Sequence, residues 1–280
     1  MKNSLLTAFG VFGLFATSFG TSADTSSAAE PTSTPKPATK TSTQDASAER
    51  DWSITVDVPL MSKYIWRGIN AVDDLVLQPS ITMTYKEWSL NVWGNMELTD
   101  TNTYGAHGDA QGEFSEIDTT FSYTKVMDAW TLTAGVINYD FPNTDFLSTT
   151  ELFATFAYTH PFNPALSLYY DIDEANGLYA KLSSSYDATS WFSSAENKNF
   201  SVALSGSVAW ASEDWAKFWY GANQSGIADL SLGATFSTEV SAGLKFTGYA
   251  TYTNLIDKHF LAGTTKRSNF IVGAGLTYKY

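Results

Sequence analysis

The sequence contains no cysteine. A disulfide framework, a thiolate metal site, a cysteine nucleophile and a lipid-modified N-terminal cysteine are therefore excluded. Histidine is scarce, at 3 residues, so a His-rich metal cluster is not expected. Positive charge is also short: 16 Lys and Arg stand against 29 Asp and Glu, a formal net charge of −13. A nucleic-acid binder needs a basic face, so nucleic acid is not an expected partner. Charged residues of both signs make up only 16% of the chain, against about 25% in an ordinary soluble domain. No long apolar run follows the first twenty or so residues. What the chain does have is aromatic rings, at 15%. Low charge and many aromatics, without a membrane-length apolar run, point to β-structure facing lipid.

Met1-Lys2-Asn3 precede an apolar stretch from Leu5 to Phe19, then Thr21-Ser22-Ala23. A basic start, a short apolar core and small residues at its end are the parts of a secretory signal peptide. Cleavage is expected after Ala23, so residues 1–23 are set apart. Residues 24–50 are mostly Ser, Thr, Ala and Pro with scattered charges. Such a segment cannot bury enough apolar surface to offset its chain entropy, and a disordered periplasmic spacer is expected.

From residue 51 the pattern changes to period 2. Trp52, Ile54, Val56, Val58, Leu60, Tyr64 and Trp66 alternate with Ser53, Thr55, Asp57, Lys63 and Arg67. Further on, Leu90 and Val92 alternate with Asn91, Phe121 and Tyr123 with Ser122, and Leu166 and Leu168 with Ser167. The same holds for Leu230 and Leu232 around Ser231. Alternation of this kind puts one face of a strand in an apolar medium and the other in a polar one. About twelve such strands fit into residues 51–280. Large aromatics sit on the apolar face and Ser, Thr and Asn on the polar one, the inside-out arrangement of a membrane barrel. Closure is required, because an open edge in lipid leaves backbone groups unpaired. The expected fold is all-β, a transmembrane antiparallel β-barrel of about twelve strands with periplasmic N- and C-termini.

Short turns at 86–87, 126–128, 160–163 and 237–239 are expected at the periplasmic end. Longer connections at 70–77, 99–112, 142–148, 212–225 and 256–267 are expected outside. Two connections depart from that rule: 174–176 is short where a long loop belongs, and 187–198 is long where a turn belongs. The last strand ends with Gly275, Tyr278 and Tyr280. A terminal aromatic with a second one two residues before it matches the assembly signal of bacterial outer-membrane barrels.

Strand direction places the inward charges. Glu97, Glu116, Asp118, Asp140, Glu151, Asp171 and Asp173 are expected near the outer ends of adjacent strands, as one acidic wall lining a pore. Lys63, Arg67 and Lys181 are the expected basic residues beside it. Charge rings of this kind select ions by sign, and the acid excess favours cations. The bland alternative is that these charges neutralise one another inside a filled barrel. Trp52, Trp88, Trp130 and Tyr158 are expected in an interfacial girdle at the periplasmic end, and Tyr64, Trp66, Tyr139 and Trp210 in one at the outer end. Trp93 and Tyr169 are expected to face inward.

The stretch Ser62-Lys63-Tyr64-Ile65-Trp66-Arg67-Gly68-Ile69 resembles the Ser-x-Tyr-x-x-Arg-Gly segment of the TorF-type porin family of bacterial outer-membrane barrels. Gln78-Pro79, Glu116-x-Asp118, Tyr139-Asp140-Phe141-Pro142 and Glu151 follow in the same order. The likeness covers most of 51–280 and is strongest from 62 to 160; Phe141 stands where Tyr is expected. It implies an outer-membrane barrel acting as a pore, of unestablished substrate.

The expected function is therefore an outer-membrane porin-like channel for small cationic or neutral solutes. One alternative is a closed-lumen structural or adhesion barrel acting through its loops. Another is an outer-membrane hydrolase, for which His107, His160 and an Asp257–His259 pair are the weak candidates. No cofactor and no resident metal are expected, although the acidic pairs Asp73-Asp74 and Glu213-Asp214 could meet Ca²⁺. Expected partners are outer-membrane lipid and lipopolysaccharide, the barrel-assembly machinery through the C-terminal strand, and small solutes.

Overall fold

The computed structural model describes residues 51–100, 111–192, 200–260 and 266–280. The expected signal peptide, the Ser/Thr/Pro-rich segment and His107 lie outside the described residues. The elements are β1 (Trp52–Met61), β2 (Tyr64–Trp66), β3 (Ile69–Val72), β4 (Val76–Leu77), β5 (Ser80–Tyr85), β6 (Trp88–Glu97), β7 (Phe114–Met127) and β8 (Trp130–Asp140). They continue with β9 (Thr149–Tyr158), β10 (Ala165–Asp171), β11 (Leu178–Asp187), β12 (Phe200–Ala211), α1 (Glu213–Trp219), β13 (Gly226–Ser241), β14 (Leu244–Leu255) and β15 (Ser268–Lys279).

Every wall strand pairs antiparallel with its sequence neighbour, and β1 pairs with β15, which closes the sheet. The closing register runs from Thr55 opposite Lys279 to Met61 opposite Gly273. Strands β4 and β5 occupy one place between β1 and β6, interrupted at Gln78-Pro79, where proline offers no N–H to the ladder. The wall thus has twelve strands, the expected number. Strands β2 and β3 form a separate hairpin.

Alternation decides which side chains meet lipid. Val56, Val58, Leu60, Phe121, Leu152, Phe156, Leu232, Phe236, Val272 and Leu276 are exposed on the outer face. Trp52, Tyr85, Trp88, Trp130, Tyr158 and Tyr280 are exposed at the end where β1 begins and β15 ends, called the terminus end below. Trp52 lies 5.7 Å from Tyr280, Trp88 lies 5.2 Å from Phe121 and Trp130 lies 4.9 Å from Tyr158, ring centre to ring centre. An apolar belt bordered by aromatics on a closed sheet is a membrane-spanning surface. Tyr278 of the last strand and Tyr280 just after it lie on this face, and Gly275 is packed against Pro59 of β1.

The two irregular connections are real features. Residues 172–177 join β10 to β11 briefly at the loop end, and after β11 the described residues continue into a short 3-10 turn, Thr189–Trp191. The short one has a packing reason. A side chain on Gly177 would run into the backbone of Trp215 on α1, so this loop leaves the space that α1 fills.

Candidate functional site

The first loop turns into the barrel instead of outward. Strand β1 stops at Met61, and Tyr64–Trp66 pairs with Ile69–Val72 as a hairpin whose tip is Arg67-Gly68. Both tip residues have positive φ, 44° and 81°. Two successive positive φ values are those of a type I′ turn, whose twist matches tight hairpins. Gly68 suits that conformation, and a Cβ there would also come within 2.6 Å of Leu255. Gly68→Ala is expected to destabilise the folded barrel by about 1–2 kcal/mol, read as a lower melting temperature. An unchanged melting temperature would show that the tip is not packed as described.

A second inserted piece meets the hairpin. Helix α1 starts at Ser212, whose side chain accepts from the Trp215 backbone N–H, and carries Glu213 and Asp214 in its first turn. Those acids complement the positive end of the helix, which gives this acidic pair a structural role. Trp215 and Trp219, four apart on one face, are fully buried. Their rings lie 5.5 and 4.6 Å from Trp66 of the hairpin. Tyr220 donates a 2.7 Å hydrogen bond to the Arg67 carbonyl and stacks on Phe260.

Arg67 is the hub of this cluster. Its two terminal nitrogens donate to the two carboxylate oxygens of Glu151 on β9 at 2.8 and 2.6 Å. Tyr139 on β8 donates to the same carboxylate at 2.7 Å. The guanidinium lies 4.7 Å from the Tyr169 ring, 4.3 Å from Tyr179 and 5.1 Å from Trp215. Glu151 is 0% exposed and Arg67 7%. A paired fork, hydrogen-bonded and ringed by aromatics, is the arrangement in which a buried charge pair is tolerated.

Toward the loop end each wall strand turns a buried side chain inward. Around the wall these are Met61, Val76, Asn95, Asp118, Tyr139, Glu151, Asp171, Tyr179, Ala211, Asp229, Leu255 and Ile271. Together with the hairpin and α1 they fill the lumen at that level. Toward the terminus end the inward residues are chiefly hydroxylic, and Ser201, Ala203 and Ser205 are exposed to the interior. Hydroxyl pairs such as Ser53–Thr84, Thr124–Thr133 and Thr155–Ser167 line this half at 2.7–2.9 Å. The barrel is therefore packed with buried side chains at one end and lined chiefly by hydroxyls at the other.

The expected acidic wall divides in the structure. Glu97, Glu116, Asp118, Glu151 and Asp171 face inward and are buried. Asp140 is exposed, because its inward neighbours are Tyr139 and Ile137, and it accepts from Ser148 at 2.6 Å. Asp173 is exposed in the β10–β11 connection, where its N–H serves Asp171. Arg67 belongs to the hairpin tip and not to the first wall strand. Lys181 faces inward, 6.0 Å from the Tyr169 ring. Lys63 pairs with Asp73, and so does Lys266. Three residues expected in the outer girdle are corrected: Tyr64, Trp66 and Tyr139 are buried inside, while Trp210 remains on the outer face. The reason for the first two is that the chain folds back after Met61 instead of continuing as a strand. In the third, Tyr139 follows the parity of Ile137. Sequence reasoning missed Trp215, Trp219, Tyr220, Tyr179 and Asp229 as members of the cluster. The signal was the aromatic density of 215–220, too high for a solvated loop.

The Lys63–Asp73–Lys266 tie holds the base of the hairpin. Burial raises the Asp73 carboxyl, but the two ammonium groups outweigh it and hold it below the usual carboxylate range. A depressed folded-state value means a contribution present above the unfolded pKa and lost as pH falls through the folded one. Protease resistance of the loop end is thus expected to hold between about pH 8 and pH 5 and to fall only in stronger acid. Loss of resistance near neutrality would refute the tie.

Of the hydrolase candidates among the described residues, His160 and His259 are exposed and Asp257 is half-buried. The His259 ring contacts Asp257 at 2.9 Å and Gln224 at 2.8 Å, and the backbone N–H of His259 holds Asp257 below the usual carboxylate range. Neither Asp257 nor Gln224 is a nucleophilic hydroxyl. His160 lies in a turn at the terminus end, between Tyr158 and Phe162. Among the described residues no three His, Asp or Glu side chains converge as a metal centre.

A closed, apolar-faced sheet around an inserted hairpin and helix defines the molecule as a membrane-spanning β-barrel with an internal plug. The chain belongs to the family described as "Bacterial protein of unknown function (Gcw_chp)", which it matches over residues 45–267. No curated protein matches the sequence. Among solved structures it is similar to the NanC porin, with 12% identity and a TM-score of 0.49, covering 80% of this chain and 100% of that one. It is also similar to the KdgM porin in complex with disordered oligogalacturonate, with 10% identity and a TM-score of 0.47, covering 81% and 99%. A third is the COG4313 outer membrane channel from Pseudomonas putida F1, with 11% identity and a TM-score of 0.46, covering 86% and 100%.

Proposed function

We propose that the protein is an outer-membrane channel for small hydrophilic solutes, held closed at its loop end by the hairpin and α1, with both termini in the periplasm. The observation that carries this reading is the Arg67–Glu151 fork. One buried ion pair ties the inserted hairpin to the wall of a barrel whose other half is hydroxyl-lined. Withdrawal of the hairpin opens a path past Glu97, Glu116, Asp118, Glu151 and Asp171. Those carboxylates favour cationic or neutral solutes over anions. The resemblance to TorF-type porins fits this reading. The test is single-channel recording of the refolded barrel across a KCl gradient. Rare steps with a cation-selective reversal potential are expected. Silence in both the wild type and a variant lacking the Arg67 fork would instead favour a barrel that acts through its loops.

A further inference from the structure

We infer that Glu116 and Asp118 of β7, with the Tyr64 hydroxyl of the hairpin, form a binding site for one hard divalent cation of the Ca²⁺ class. This inference is independent of whether the barrel conducts.

Glu116 and Asp118 are two residues apart on one strand, so both point inward, and they are 2% and 1% exposed. Most of the other buried carboxylates have donors. Glu151 has Arg67 and Tyr139. Asp171 has the Thr149 hydroxyl and the backbone N–H groups of Asp173 and Ala175. Asp229 has the Tyr179 hydroxyl. By contrast, both oxygens of Asp118 and one of Glu116 are buried with no hydrogen-bond partner.

The neighbouring donors are already committed. Asn95, opposite Glu116, donates to Ser115 and accepts from Gln78. Tyr139, opposite Asp118, donates to Glu151, and Arg67 is bound to the same carboxylate. One group from another element is aimed at the pair. The Tyr64 hydroxyl is itself buried and lies against Glu116 without a well-formed hydrogen bond.

Two adjacent carboxylates out of water repel each other strongly and need a counter-charge. One divalent ion balances both. Each carboxylate can bind through one or two oxygens, and the phenol oxygen adds another. All are the hard oxygen donors that Ca²⁺ prefers, and bound water or backbone carbonyls complete its shell. The thiolate and imidazole ligands that favour zinc or copper are missing from this set. Because Tyr64 belongs to the hairpin and the acids to the wall, the ion also fastens one to the other.

The test uses the full folded chain in detergent, stripped of metal with a chelator. Tb³⁺ is added as the probe and emission is excited through tryptophan. Trp93 sits opposite Asp118 and 5.6 Å from the Tyr64 ring, close enough to sensitise a bound lanthanide. Saturable emission that Ca²⁺ displaces is expected, with affinity at least tenfold weaker in Glu116→Gln/Asp118→Asn. Tyr64→Phe should weaken it less. The melting temperature should rise with Ca²⁺ in the wild type and be independent of Ca²⁺ in the double variant, whose neutral amides need no counter-ion. If the double variant does not fold, Glu116→Gln alone serves for the same comparison. No emission, or equal emission with and without the acids, overturns the site. Neutralisation by a proton alone, seen as a wild-type melting temperature that responds to pH and not to Ca²⁺, overturns it as well.

Discussion

Arg67→Ala is expected to convert a closed barrel into one that conducts steadily. The substitution removes the fork on Glu151 and the guanidinium that fills the space among Tyr169, Tyr179 and Trp215. It leaves a fully buried carboxylate held by Tyr139 and, weakly, by the Trp215 indole N–H at 3.4 Å. Breaking one side of a buried pair costs about 3–5 kcal/mol, because the remaining charge is uncompensated. That cost falls on the packed hairpin and not on the wall ladder, since β2 and β3 pair only with each other. The barrel should therefore stay folded and heat-modifiable while the hairpin leaves the lumen. Single-channel conductance should rise from rare steps to a sustained open level. The double variant Arg67→Ala/Glu151→Ala removes both charges and should recover part of the lost stability, yet still conduct. A folded Arg67→Ala barrel with the conductance of the wild type would show that the fork is not the latch.

The second large effect tests the inside-out arrangement. Leu232 on β13 is exposed among Gly206 and Tyr252, its partners on the adjacent strands. On a lipid-facing strand, Leu232→Arg should destabilise the folded barrel in a bilayer by about 2–4 kcal/mol. Ser205→Arg, on the opposite face of β12 and open to the interior, should have little effect on folding. Equal costs at the two positions would contradict a lipid-facing exterior. The comparison is read from urea midpoints in the same lipid, so that the reference state is shared.

Much of the wall was legible because a strand between lipid and water writes its two media alternately into the chain. Val56, Val58 and Leu60 against Thr55 and Asp57 fix both the element and the face, with no reference to any distant residue. The irregular lengths at 174–176 and 187–198 were legible too, and the structure shows what the short one is for. The plug was not legible in the same way. Tyr64 and Trp66 keep the parity of β1, so the alternation reads straight through a point where the chain actually folds back. The local cue was Arg67-Gly68, a tip that suits two positive φ values, but a tip does not state whether its hairpin points into the lumen or away from it. Likewise Trp215 and Trp219 are spaced for one helical face, and nothing in that spacing names the hairpin as the surface they cover.

By itself, then, the sequence determined a closed barrel of about twelve strands and, for most of them, the side turned to lipid. These follow from period, strand length and the requirement that no backbone group stay unpaired in hydrocarbon, all of which act locally along the chain. Only the tertiary structure decided that the loop end is filled, that Arg67 finds Glu151 eighty-four residues away, and that both oxygens of Asp118 and one of Glu116 are buried side by side without a hydrogen-bond partner. Those outcomes depend on which loops fold inward and on the competition of many donors for few carboxylates. That competition is settled by packing inside the barrel and leaves no periodic trace in the chain.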